Sequence, residues 1–194
     1  LSGIWRSASE KYLANLGADG PQLLLQPWAA ALYKDRLAGR VKGRPSDRCL
    51  PRGLPGVMLV RANPWKIVQA PGVVLMLFDE SLHYRQIFTD GRPFPDDAAP
   101  SWFGYSIGRW DGDTLVADTI GLNDHTWLDE GGHPHTEALR VTERFRRRGA
   151  AAMDVELTID DPKAYTRSFT TTVRFERVPA ADLGEHVCPV APAS

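Results

Sequence analysis

From Trp65 to Val178 the chain repeats one pattern: short runs of β-branched, aromatic and aliphatic residues, each ended by a turn signal, with no helical stretch between them. Trp65-Lys-Ile-Val-Gln69, Val73-Val-Leu-Met-Leu-Phe78 and His83-Tyr-Arg-Gln-Ile-Phe88 are separated by Pro71-Gly72 and by Asp79-Glu80-Ser81. From Trp102 to Trp110, residues Trp102, Gly104, Ser106 and Gly108 alternate with Phe103, Tyr105, Ile107 and Arg109. Asp111-Gly112-Asp113 then forms a hairpin turn, because an Asp-Gly pair tolerates the positive φ angles that tight hairpins need. Thr114 to Ile120 returns. Ala138 to Arg146, Met153 to Ile159 and Phe169 to Val178 follow, joined at Arg148-Gly149-Ala150 and Asp160-Asp-Pro-Lys163. Strands joined by tight turns can only pair antiparallel, since a parallel pair needs a long crossover. Eight or nine such strands predict an all-β, antiparallel up-and-down barrel, or a strongly curved sandwich.

The N-terminal third reads differently. Leu1 to Trp5 begins as an apolar strand and a polar stretch follows to Gly20. Over 21–39 the spacing predicts one short helix: Pro27 suits a first turn, Trp28, Ala31, Leu32 and Leu37 mark an apolar face, and Gly39 ends it. Residues 40–64 are broken by prolines and glycines into a loop, with a strand expected at Val57 to Val60. The 180–194 tail is rich in Pro and Ala. At 194 residues and 43% hydrophobic content, one domain with its own core is expected.

Charge excludes some partners. With 23 basic and 24 acidic residues the chain lacks the basic footprint of a nucleic-acid binder. The cluster Arg144, Arg146, Arg147, Arg148 reads as the solvated end of a hairpin. No apolar run approaches the ~20 residues that span a bilayer. A small-molecule ligand or substrate is the remaining partner. No phosphate loop or dinucleotide fingerprint is present.

The opening of the chain at Leu1, without methionine, is what a trimmed mature protein would show, and export is the expectation. Export would let Cys49 and Cys188 pair, closing a loop worth about 4 to 5 kcal/mol in the chain-entropy model; two separate buried thiols are the alternative.

Chemistry concentrates between Gly121 and Phe145, which hold three of the five histidines. His133, His135 and Glu137 stand at i, i+2 and i+4. On an extended strand they would share a face, a ligand set suited to Zn²⁺, Fe²⁺ or Mn²⁺, with His125, His83 or His186 as a fourth ligand. Without metal, the same segment offers acid–base pairs: His125 beside Asp124 and near Asp129, and His133 and His135 near Glu137. Alternation places Leu139, Val141, Glu143 and Phe145 on one face, with Arg140, Thr142 and Arg144 on the other. If the apolar set faces inward, Glu143 lies inside the barrel and needs a partner, for which Arg85 or Arg92 is suited. In a purely structural role, Asn123, Asp124 and Thr126 cap turns, His133 and His135 bond to backbone, and Glu143 pairs with Arg144 on the surface.

Two resemblances bear on the chain. Gly3-Ile4-Trp5 resembles the Gly-x-Trp opening of lipocalins and other calycin barrels, whose tryptophan closes one barrel end. More of the chain resembles a large family of exported bacterial proteins. The matching pieces are Pro27-Trp28 with Ala31-Leu-Tyr-Lys34, Cys49-Leu-Pro51, Trp65-Lys-Ile-Val-Gln69, Arg85-Gln-Ile-Phe-Thr-Asp-Gly-Arg-Pro93, Trp110-Asp-Gly-Asp-Thr-Leu-Val116, Gly132-His-Pro-His-Thr-Glu-Ala-Leu139, Glu143-Arg-Phe-Arg-Arg147 and Asp160-Asp-Pro-Lys-Ala-Tyr-Thr166. That resemblance implies export and no particular mechanism. The family pattern has histidine where this chain carries Phe94, and often where it carries Arg140.

A lipocalin-like barrel is therefore expected, with loop 121–137 and helix 21–39 framing one mouth. His133, His135, His125 and Asp124 would act there with Glu143 and Arg85 behind them. The expected activity is acid–base or metal-assisted chemistry on a small organic or carbohydrate-like molecule. A carrier using the same cavity without chemistry is the alternative.

Overall fold

The alternating runs become nine strands: β1 Gly3–Ser7, β2 Trp65–Ala70, β3 Val73–Phe78, β4 Tyr84–Phe88, β5 Tyr105–Asp111, β6 Thr114–Ile120, β7 Arg140–Arg148, β8 Ala152–Asp160 and β9 Phe169–Arg177. In the computed structural model, which describes residues 1–18, 23–80, 83–179 and 182–184, these strands close in chain order into one barrel. Neighbours around a closed ring can all run antiparallel only when their number is even. Nine strands therefore force one like-directed pair, and it falls between β4 and β5. That ladder registers only Ile87 with Ser106 and Phe88 with Ile107, leaving Tyr84, Arg85 and Gln86 without a β5 partner. The seam opens because the chain turns away at Gly104, whose φ of 63° and close approach to the Ile120 carbonyl leave no room for a Cβ.

Inward residues come from alternate positions and fill the barrel. Trp5, Trp65, Ile67, Met76, Ile87, Phe145, Val155, Leu157, Val173 and Phe175 are all buried. At one end the Trp5 indole donates to the Leu1 carbonyl at 3.0 Å and the Arg147 guanidinium lies 5.7 Å from its ring centre. Registered pairs carry inward residues from strand to strand, so Glu143 lies between Ala117 on β6 and Leu157 on β8. The inward reading of Leu139, Val141, Glu143 and Phe145 matches their burial.

Several N-terminal expectations need correction. The helix runs over Pro27–Ala38 (α2); Pro21 lies outside the described residues. The polar stretch before it contains a short helix, Lys11–Ala14 (α1). Val57 to Val60 is not a strand: Gly56–Leu59 is one turn of helix (α3), with all four residues buried. A short apolar run buried on every side carries no period by which helix and strand can be told apart. The rest of 40–64 is held by ion pairs as well as by any bridge: Arg52 binds Glu80 at 2.8 Å, and both Arg52 and Arg44 reach Glu130. Cys188 and His186 lie outside the described residues.

Candidate functional site

The loop between β6 and β7 is irregular, and two aspartates hold its shape. Asp129 accepts the backbone N–H of Leu16 at 2.7 Å and that of His133 at 3.3 Å, and the His133 Nδ1–H at 2.7 Å. Asp161, beyond β8, accepts the Thr136 backbone N–H at 2.6 Å and its hydroxyl at 2.9 Å. Tyr165 donates its hydroxyl to the Pro134 carbonyl at 3.0 Å. Buried carboxylates that collect several donors in this way fix backbone geometry.

His133 and His135 belong to this framework. His133 is 3% exposed and its ring stacks on Tyr33 of α2, with centroids 4.1 Å apart. His135 is 4% exposed; its Nδ1 lies 3.2 Å from the Thr136 carbonyl and its Nε2 lies 2.7 Å from the Thr126 hydroxyl. A carbonyl can only accept, so Nδ1 carries the proton and Nε2 of the neutral ring accepts from Thr126. Burial lowers the His135 pKa, favouring that neutral ring. Glu137 is exposed, and residues 133–137 are not strand. The shared face that i, i+2, i+4 spacing would create on a strand is thus not formed by His133, His135 and Glu137. Among the described residues no group of three His, Cys, Asp or Glu side chains is arranged to hold a metal ion. His83 instead lies beside Phe103 at the seam, 5.6 Å between ring centres.

Arg85 and Glu143 form a second, closed cluster inside the barrel. Their side chains are 1% and 0% exposed, and the guanidinium grips both carboxylate oxygens, one of them at 3.0 Å. The remaining Arg85 donors reach Ser106 Oγ at 3.0 Å and Thr119 Oγ1 at 2.7 Å, and those two hydroxyls lie 2.9 Å apart. Every charge is answered within the cluster. Arg92, the alternative partner, pairs with Asp90 at the surface, and Arg144 pairs with Asp111. Phe94 and Arg140, the two departures from the family pattern, meet each other: the guanidinium lies 6.0 Å from the ring centre.

His125 and Asp124 form a third, open group. The loop turns outward at Asn123, whose side chain accepts the His125 N–H at 3.1 Å. His125 Nδ1 then lies 3.3 Å from Asp124 Oδ1, with the two side chains 69% and 56% exposed. Both line a cleft of about 500 Å³ at the barrel mouth. Its walls include Trp102 and Trp127, and Arg36, Lys42 and Arg48 from the end of α2 and the loop after it. The Trp102 ring lies 5.9 Å from the His125 ring. Arg36 ties the walls together, donating to the Gly132 carbonyl at 2.8 Å while its guanidinium covers Trp127 at 4.4 Å. Arg36 of α2 and Asp124, His125 and Trp127 of loop 121–137 thus line one cleft.

The six residues expected to act together therefore divide into a buried frame (His133, His135), a barrel core (Arg85, Glu143) and an open dyad (Asp124, His125). Sequence reading missed Tyr33, Arg36, Lys42, Arg48 and the cleft-facing role of Trp102 and Trp127. One available signal was helical spacing: Tyr33 and Arg36 stand three apart, which sets them on one face of α2. No protein-family model, curated protein or solved structure matches the chain, so the chemistry of the cleft is judged from its own side chains. The class defined by fold and site is a nine-stranded β-barrel with a polar, tryptophan-lined cleft at its mouth.

Proposed function

We propose that this chain is an exported enzyme of acid–base type that acts on a small organic or carbohydrate-like molecule in the barrel-mouth cleft. The observation that carries the proposal is the open His125–Asp124 pair in a cleft also lined by Trp102 and Trp127. Asp124, with its carboxylate 3.3 Å from Nδ1, steadies the imidazolium that forms, which leaves Nε2 as the base that takes a proton from the substrate. Histidine suits that role because its ordinary pKa lies near neutral pH. The same proton transfer serves a lyase, an isomerase or a hydrolase. Arg36, Lys42 and Arg48 oppose negative charge that develops on the substrate.

A carrier is the second reading. It is favoured by the way His133 and His135 are committed to hydrogen bonds within the protein, and it keeps the cleft while assigning His125 no proton transfer. The test is a product screen by NMR with small carbohydrate acids, esters and glycosides, on the parent and on His125→Ala and Asp124→Asn. Loss of about 10²- to 10⁴-fold in turnover in His125→Ala, with the fold unchanged, supports the enzyme. Binding of the same compounds without turnover in any protein supports the carrier.

Export belongs to the same proposal, with a Cys49–Cys188 bridge. Thiol titration of the denatured, unreduced protein is expected to find no free thiol, and finding two would remove the bridge.

A further inference from the structure

The cleft is not isolated. A second groove, of about 340 Å³, runs along the β4–β5 seam and includes Tyr84, Gln86, Phe88, Phe103 and Tyr105 in its walls. Trp102 lines both. The seam groove is aromatic and accessible: Tyr84 is 63% exposed, and Phe88 and Tyr105 meet with ring centres 5.2 Å apart. His83 and Gln86 supply polar edges to the same groove. The mouth cleft has the opposite emphasis, with three cations on its wall and Asp124 as the carboxylate among them. Among the described residues no ion pair joins Lys42 or Arg48 to a carboxylate, in contrast to Arg44 and Arg52 of the same segment.

Resting on the functional reading above, we infer that the substrate is an acidic oligosaccharide that spans both grooves, with neighbouring sugar rings on either side of Trp102. Three features point to that class. The exposed Tyr84 ring and the half-buried Trp102, with His83 and Gln86 beside them, suit a pyranose ring, which is apolar across its C–H face and hydroxylated at its edge. Two grooves sharing one wall suit a ligand made of repeated rings. Exposed cations with no carboxylate partner among the described residues line one groove and favour negative charge at that end, which a carboxylate-bearing or sulfated sugar supplies. The whole chain carries a net charge of −1, so this attraction is local to the cleft. His125, tilted against Trp102, then stands next to the linkage between the rings.

The test is calorimetric or NMR titration of the intact protein, in its His125→Ala form so that no substrate is consumed. The probes are oligogalacturonides of one to six units, sulfated oligosaccharides of the same lengths, and neutral cello-oligosaccharides. Affinity is expected to rise about tenfold or more from one unit to four, and each acidic chain is expected to bind about tenfold more tightly than its neutral counterpart. Added salt should narrow the second difference and not the first. Arg48→Ala should remove the preference for acid. Tyr84→Ala should remove the gain with length and leave single units unaffected, with Trp102→Phe retaining more of that gain than Trp102→Ala. Preference for uronate over sulfate, or the reverse, identifies the acidic group. Equal affinity for one and four units, equal affinity for acidic and neutral chains, or no binding at millimolar concentration overturns the inference. Turnover of a single-ring substrate by the parent alongside any of those results would leave the acid–base reading standing. Length-dependent binding of acidic chains with no turnover would do the reverse.

Discussion

The barrel interior and the barrel mouth both contain charged residues, under opposite terms. Inside, Arg85 and Glu143 are removed from water and every donor of the guanidinium has a partner supplied by a strand. At the mouth, His125 and Asp124 keep most of their solvent contact and lie on a loop, and the cations around them face a space. A buried charge must be answered by the protein, because leaving it unanswered costs several kcal/mol. An exposed one can wait for a ligand. The difference separates structural chemistry from chemistry available for work, although both clusters look equally functional as lists of residue types.

The largest effect should come from breaking the interior pair. Glu143→Ala strands the Arg85 guanidinium and is expected to cost about 3 to 5 kcal/mol in a urea unfolding curve, whereas Arg85→Met with Glu143→Leu recovers most of that loss. A single substitution costing under 1 kcal/mol would mean that water reaches the cluster. Next is Asp129→Ala in the buried frame. It orphans the Leu16 amide and the His133 ring N–H, at about 1 to 3 kcal/mol each, and should also weaken binding in the cleft by releasing the His133–Tyr33 contact under α2. Stability lost with cleft affinity retained would separate frame from mouth.

The third effect is a pH dependence. The His135 pKa is lowered in the folded protein, chiefly by burial. The unfolded chain therefore binds this proton more readily, and stability must rise with pH. The contribution is fully present above the unfolded value of about 6.5 and is lost as pH falls below it toward the folded pKa. Denaturant midpoints at pH 8, 6.5 and 5 should fall in that order, and His135→Gln should flatten the decline; an unchanged decline in the variant would assign it to other groups. Arg48→Ala, at the mouth, should give the smallest effect on folding, within about 0.5 kcal/mol of the parent in the same assay, because the side chain is exposed and packs no core. A larger loss would make the cleft part of the fold.

The legible parts of the chain were those with a local period. β3 and β6 begin and end where alternation and turn residues place them, and the inward position of Glu143 followed from counting along β7. Its partner Arg85 could be named only as one of two arginines, since nothing local joins residues 58 positions apart. His133, His135 and Glu137 misled for the reason that Glu143 did not. Their spacing carries meaning on a strand, and they lie where Asp129 and Asp161 bend the backbone out of one. The lining of the cleft was not legible: Trp102, Trp127, Arg36 and Arg48 come from four separate segments and share no local period.

By itself the sequence determined that strands form, which of their faces is apolar, and hence that a closed antiparallel sheet is the economical way to bury them, because alternation and turn chemistry act over a few residues. Only tertiary structure decided that nine strands leave one parallel seam, that Arg85 answers Glu143, and that His125 rather than His133 or His135 faces open space. Those outcomes depend on how the ring closes and on which buried polar groups find partners across it, and both are settled by contacts between residues far apart in the chain.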